Sequence, residues 1–85
     1  MLRSYRDYNS ALALASADYN HTALDILKEL PVEEPKVCYL MAIILSRLGQ
    51  KAESSKYLGL ALTYDPMLKY RANLDPELSG YINNF

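Results

Sequence analysis

The fold class follows from residues 38–66, which read CYLMAIILSRLGQKAESSKYLGLALTYDP. Around the start of this stretch, apolar residues recur at the three- and four-residue intervals of one helix face: Val37, Leu40, Met41, Ile44, Leu45 and Leu48. Gly49 can adopt the left-handed backbone conformation that ends a helix. A further helix should run from about Lys51 to Tyr64, before Asp65-Pro66. The stretch therefore predicts two helices joined by a tight turn.

The same spacing occurs earlier in the chain, at an offset of 31 residues. Six pairs of small, apolar or proline positions correspond: Ala11 and Ala42, Leu14 and Leu45, Ala23 and Ser54, Leu27 and Leu58, Leu30 and Ala61, Pro35 and Pro66. Similarity at a fixed period indicates repeated structural units. The first unit is expected to contain a helix from about Leu2 to Ala17 and a second helix capped by Asp18. The third helix should run from about Pro35 to Leu48, with proline in its first turn.

The C-terminal segment departs from this pattern. Residues 67–74 contain no full helical repeat, whereas Asp75-Pro76-Glu77 supplies a cap, a first-turn proline and an acidic residue for a short fifth helix. Leu78 and Ile82 lie one turn apart, so this helix is expected to cover the last hairpin. The predicted organisation is one all-α domain with hairpins at 1–34 and 35–66 and a C-terminal loop and capping helix at 67–85.

Residues 38–66 resemble a tetratricopeptide repeat. That pattern has a large residue, Leu-Gly, Tyr, then Ala, Phe, Ala and Pro; the corresponding residues are Cys38, Met41-Ala42, Leu45, Gly49 in the turn, Ser54, Leu58, Ala61 and Pro66. The copy from Asp7 to Pro35 is weaker, because Asp18-Tyr19-Asn20 occupies the turn where glycine is usual. The ending is similar to C-terminal ends of bacterial tetratricopeptide proteins. The resemblance implies an α-solenoid of two hairpins, the terminal repeats of a bacterial protein.

The same resemblance implies a non-catalytic scaffold that binds a protein or peptide on the concave face formed by the first helix of each hairpin. The corresponding residues are Tyr5, Tyr8, Leu12, Ser16, Lys36, Tyr39, Ile43 and Arg47. Tyrosine and arginine often anchor interfaces. Equally, Tyr5, Tyr8 and Tyr39 could pack between helices as core residues. Both roles remain open at this point.

The subclass of the family that clamps terminal carboxylates is a poor match. Its clamp uses Lys, Asn and Arg, whereas the corresponding positions here include Tyr8, Leu12 and Leu40. The resemblance therefore favours a groove with aromatic and aliphatic contacts and with Lys36 or Arg47 at its edge.

Charge and hydropathy exclude several other classes of function. Nine Lys and Arg against ten Asp and Glu give a formal charge of −1, so no basic surface is expected for nucleic acid or anionic lipid. The apolar run from Val37 to Leu45 is far shorter than the roughly 20 residues that span a bilayer. Residues 1–7 lack the features of a signal peptide. We expect a soluble chain, cytoplasmic, or periplasmic if it is part of an exported protein.

Candidate catalytic and metal-binding residues are few. His21, the single histidine, lies near Asp18 and Asp25, an incomplete set for metal binding or acid–base catalysis. Cys38, the single cysteine, is better explained as a packing residue than as a nucleophile. The sequence therefore predicts no enzyme activity, cofactor or metal.

Two repeats are fewer than the three usually needed for independent stability. A terminal cap, a homodimer or membership of a longer protein would each supply the missing contacts. The alternative function is therefore a structural or oligomerisation segment, which could be a terminal fragment of a larger protein.

Overall fold

The computed structural model describes residues 7–31 and 33–84, and every regular element in these ranges is helical. In chain order they are α1 (Tyr8–Ser16), α2 (Asn20–Leu27), α3 (Pro35–Arg47), α4 (Lys51–Tyr64), α5 (Leu68–Leu74) and a 3₁₀ helix (Ser79–Asn84). The all-α class is confirmed. None of the helices described is long and apolar enough to cross a membrane.

The helices pack as consecutive pairs. α1 contacts α2, α3 contacts α4, and α3 also contacts both helices of the first pair. One buried cluster is shared by the first pair and α3: Ala11, Ala15, Ala23, Leu24, Ile26, Leu27, Val37, Leu40, Met41, Ile44 and Leu45. A second cluster joins α3 and α4 to the C-terminal segment: Cys38, Tyr39, Ala42, Leu58, Ala61, Ala72, Leu78 and Ile82. Because α3 contributes to both clusters, it is the central element of the described fold.

The turns inside the two helix pairs have the same geometry. Asp18 and Gly49 both have positive φ angles, 67° and 80°. The amide of the next residue closes each turn: Tyr19 donates to the Leu14 carbonyl at 2.8 Å, and Gln50 donates to the Leu45 carbonyl at 2.9 Å. Asp18 thus adopts the left-handed conformation that glycine adopts in the second pair. The prediction that Asp18 caps α2 is wrong, since the residue preceding α2 is Tyr19 and no side chain caps that helix.

The 31-residue offset also relates buried positions. Ala11 and Ala42 are both fully buried, as are Leu27 and Leu58. At the third such pair, Ala23 and Ser54, both side chains are again fully buried, and the Ser54 hydroxyl donates to the Ala42 carbonyl at 2.6 Å. That hydrogen bond joins α4 to α3 and satisfies a polar group that would otherwise lower stability.

The C-terminal segment differs from the prediction. Residues 68–74 form α5, where a loop was expected, and α5 packs through Ala72, which is fully buried. No α-helix starts at Asp75. The Asp75 carboxylate instead accepts from the Glu77 amide at 2.9 Å, which closes a tight turn leading to the 3₁₀ helix. Leu78 nevertheless covers the second helix pair, as expected, and is fully buried.

Candidate functional site

A groove opens where the start of α3 meets the first residue of α1 and the junction of α4 with α5. Seven residues line it: Tyr8, Pro35, Lys36, Tyr39, Asp65, Leu68 and Arg71. We call it the tyrosine groove. Its volume is about 320 Å³, near the lower end of the roughly 300–1,000 Å³ typical of ligand pockets. The groove therefore has room for one or two amino-acid side chains.

Two cations lie over two tyrosine rings in this groove. Lys36 Nζ is 4.9 Å from the centroid of the Tyr8 ring, and Arg71 Cζ is 5.2 Å from that of Tyr39. These are cation–π distances. Lys36 Nζ is also 3.9 Å from a Glu34 carboxylate oxygen, but both side chains are at least half exposed, so this ion pair is weak. Both cations thus remain available to an anion.

Asp65 contributes the carboxylate that lines the groove. Its Oδ1 accepts a hydrogen bond from the Met67 amide at 3.2 Å. This bond shapes the turn between α4 and α5 and so fixes where α5 begins, because a short side chain that bonds the backbone two residues on favours a turn. The charged lining residues are Lys36, Arg71 and Asp65, so the formal net charge of the lining is +1.

Tyr39 is both a core residue and a groove residue. The residue is 5% exposed and belongs to the second cluster, yet it also lines the groove. Its hydroxyl is buried without a hydrogen-bond partner among the residues described. Burial raises the pKa of Tyr39; Asp75 raises it further, and Arg71 opposes both. The phenol accordingly stays protonated at neutral pH and can act as a donor.

Arg47 does not line the groove but joins three parts of the fold. Its Nε lies 2.7 Å from Glu77 Oε1, and Nη2 lies 3.2 Å from Glu77 Oε2. Nη1 donates to the Ala15 carbonyl at 2.9 Å and to Asn20 Oδ1 at 3.4 Å. The hydrogen bond to Glu77 is the main cause of a raised pKa for Arg47. The guanidinium thus ties the turn after α1 to the C-terminal segment.

The remaining expected binding residues lie elsewhere. Ile43 is partly buried against the second cluster, and Leu12 is 41% exposed on α1. Ser16 is exposed and donates its hydroxyl hydrogen to the Leu12 carbonyl at 2.9 Å. Tyr5 lies outside the described residues. The structure thus brings three of the eight expected side chains, Tyr8, Lys36 and Tyr39, into one groove.

Four lining residues were missed by the sequence reasoning: Pro35, Asp65, Leu68 and Arg71. Pro35 and Asp65 had been recognised as helix-boundary residues. Leu68 and Arg71 belong to α5, which was not predicted, so only recognition of that helix could have identified them.

Residues with catalytic potential are not gathered here. His21 and Asp25 are exposed and line a depression apart from the groove. In residues 7–31 and 33–84, no group of three His, Cys, Asp or Glu side chains could hold a metal ion. Cys38 is fully buried, and this burial raises the pKa of its thiol, which disfavours the thiolate needed for nucleophilic attack.

Comparison with protein-family models, curated proteins and solved structures found no match. The tetratricopeptide resemblance therefore stays a prediction. The functional assignment depends on the groove and its chemistry.

Proposed function

We propose that this chain is a non-catalytic protein-interaction module that binds a segment of a partner protein in the tyrosine groove. The observation that carries the proposal is the convergence of Tyr8, Lys36 and Tyr39. These side chains come from the first helices of the two pairs, which the family resemblance assigns to the concave face. Aromatic rings with nearby cations are frequent anchors of protein interfaces.

The arrangement of the helices supports the same proposal. Two helix pairs, related by an offset of 31 residues, have the same turn geometry and contact each other through α3. Such pairs are the unit of an α-solenoid of tetratricopeptide type, whose stacked repeats bind extended segments. We include that architecture in the proposal.

Site-specific photo-crosslinking tests the groove. The variant Lys36→p-benzoylphenylalanine, produced in the source cells in place of the native chain, is expected to yield a discrete covalent product with a partner protein. Lys28→p-benzoylphenylalanine is the matched control, because Lys28 is also an exposed lysine but lines a different depression. Adding Arg71→Glu should abolish the product at position 36. Equal products at both positions, or none at position 36, would contradict the proposal.

A second function, self-association through α5, is favoured by a separate observation. Met67, Tyr70 and Leu74 follow one another at helical spacing and are 69%, 70% and 84% exposed. Beside them is an apolar pocket of about 470 Å³, lined by Pro66, Met67, Lys69, Tyr70, Asn73 and Ile82. Because Leu74 and this pocket belong to the same segment, two copies can insert Leu74 reciprocally about a twofold axis.

Mass measured against concentration tests self-association. If α5 forms the interface, sedimentation velocity should show a monomer at about 10 μM and a dimer at about 1 mM, since so small an apolar patch gives weak association. Leu74→Asp should remain monomeric throughout. A native chain that stays monomeric at the highest concentration would leave the groove as the only proposed binding surface.

A further inference from the structure

We infer that the Tyr39 hydroxyl is a binding group, which donates a hydrogen bond to the carboxylate of an acidic side chain of a partner segment. The inference rests on the proposed function and specifies the chemistry of its ligand. The carboxylate is expected to lie in the tyrosine groove, with Lys36 and Arg71 as its other partners. Lys36 and Arg71 supply charge, and Tyr39 supplies a donor in a dry environment.

The first argument is that this hydroxyl has no structural role within the described residues. Among the buried side-chain oxygen and nitrogen atoms of the described residues, the Tyr39 hydroxyl is the one without a hydrogen-bond partner. Most buried polar groups in native proteins are paired, because an unpaired one lowers stability. Phenylalanine would fill the same space without this penalty. A tyrosine at the edge of a groove therefore indicates a partner that the bound state supplies.

The second argument concerns the kind of acceptor. Lys36 and Arg71 can only donate hydrogen bonds. Three carboxylates act on these groups. Asp65 of the lining accepts from the Met67 amide at 3.2 Å, and Asp75, whose charge acts on Tyr39, accepts from the Glu77 amide at 2.9 Å. Glu34 lies 3.9 Å from Lys36 Nζ in an exposed, weak ion pair. None of these carboxylates accepts a hydrogen bond from the Tyr39 hydroxyl. A ligand must supply the acceptor, and an anion is the best match for two cations and a phenol.

The third argument separates a carboxylate from a phosphate. Lys36, Arg71 and Asp65 give the lining a net charge of +1. A carboxylate carries one negative charge and neutralises it, whereas a phosphate group carries about −1.5 to −2 and would also face Asp65. The lining therefore favours an aspartate or glutamate side chain.

We expect access to the hydroxyl to depend on Arg71. The Tyr39 oxygen is shielded from solvent, and the exposed Arg71 side chain lies over the Tyr39 ring. A carboxylate entering the groove pairs with the guanidinium and draws it off the ring. A cation–π contact at an exposed site is weak enough for this exchange. We expect this displacement to open a path to the hydroxyl.

Titration with two blocked peptides tests the inference. The ¹⁵N-labelled chain is titrated with Ac-Ala-Leu-Glu-Leu-Ala-NH₂ and with the same peptide carrying Gln in place of Glu. We expect the Glu peptide to shift the Tyr39 and Arg71 amide signals with a Kd on the order of 1 mM. The Gln peptide should bind about tenfold more weakly, since hydrogen bonds to charged groups are the stronger ones. Equal binding, or no saturable shift with either peptide, would overturn the inference.

Tyr39→Phe supplies the sharper test, because it should lower affinity without lowering stability. It should weaken binding of the Glu peptide about tenfold and binding of the Gln peptide less, because a neutral amide oxygen is a weaker acceptor than a carboxylate. Its Tm should be unchanged or up to about 5 °C higher, because an unpaired buried hydroxyl has been removed. A lower Tm with unchanged binding would assign the hydroxyl to the core.

Tyr81→Phe is the matched control. The Tyr81 hydroxyl donates to Ser46 Oγ at 3.3 Å and does not line the groove, so its removal should leave peptide binding unchanged and should not raise Tm. Inorganic phosphate is a further arm, and tighter binding of phosphate than of the Glu peptide would overturn the preference for a carboxylate. If the crosslink at position 36 forms but the Glu and Gln peptides bind equally, this inference alone is refuted. If the crosslink is also absent, the proposed function is refuted as well.

Discussion

Leu58→Ala is expected to lower the free energy of unfolding by about 3 kcal/mol, within the roughly 2–5 kcal/mol observed for such truncations in cores. Leu58 is fully buried on α4, in the cluster that also contains Ala42 of α3 and Leu78 of the C-terminal segment. Removing its side chain leaves a cavity among three packed elements that cannot all move inward. A chain of this length has a total stability of about 4–13 kcal/mol, so the loss is a large share.

Urea unfolding followed by circular dichroism measures this effect as a lower midpoint at constant slope. Leu12→Ala is the matched control, because it is the same substitution on a helix but at a side chain that is 41% exposed. It should cost less than about 1 kcal/mol. Similar losses at the two positions would contradict the packing of α3 against α4 described above.

The central part of the fold was predictable because its boundaries carry chemical signals. Pro35 marks the start of α3, Gly49 the turn, and Asp65-Pro66 the end of α4. The observed α4, Lys51–Tyr64, has the predicted bounds, and α3 ends one residue before its predicted end, at Arg47. At these places local backbone preferences and the apolar pattern indicate the same structure.

The C-terminal segment was not predictable in the same way. α5 packs through a fully buried Ala72 and a partly buried Leu68, whereas its larger apolar residues Tyr70 and Leu74 are mostly exposed. Its apolar pattern therefore does not mark a buried face. The acidic and proline residues at 75–77 indicated a helix start, but the Asp75 side chain bonds the Glu77 amide and forms a turn. An aspartate side chain that bonds a nearby backbone amide can either cap a helix or close a turn, so the local sequence allows both structures.

The candidate site likewise combines residues that the sequence predicted with residues that it did not. Family resemblance led to Tyr8, Lys36 and Tyr39, which the structure brings together. Arg71 comes from a helix that the sequence did not reveal. Arg47 was expected at the groove edge, yet its guanidinium contacts Glu77, which is 30 residues away in the chain. Pairing over that distance depends on tertiary structure, which spacing rules do not address.

Leu78→Asp is expected to have the other large effect, a loss of about 4 kcal/mol, because it places a carboxylate where the side chain is fully buried. Leu78 packs in the second cluster with Cys38 and Leu58. A charge there must be solvated, so the C-terminal segment should leave the second helix pair. Cys38, which is fully buried in the native chain, would then become exposed.

Two measurements distinguish release of the segment from general unfolding. The Cys38 thiol of Leu78→Asp should react with a disulfide reagent such as DTNB much faster than that of the native chain, while the helical circular dichroism signal falls only in part. Leu74→Asp is the control, since the same charge enters the same segment at a side chain that is 84% exposed; it should alter neither stability nor thiol reactivity. An unreactive Cys38 in Leu78→Asp would show that the segment does not protect the second pair. Rapid reaction with helices retained would show that residues 68–84 cover the second helix pair and shield Cys38.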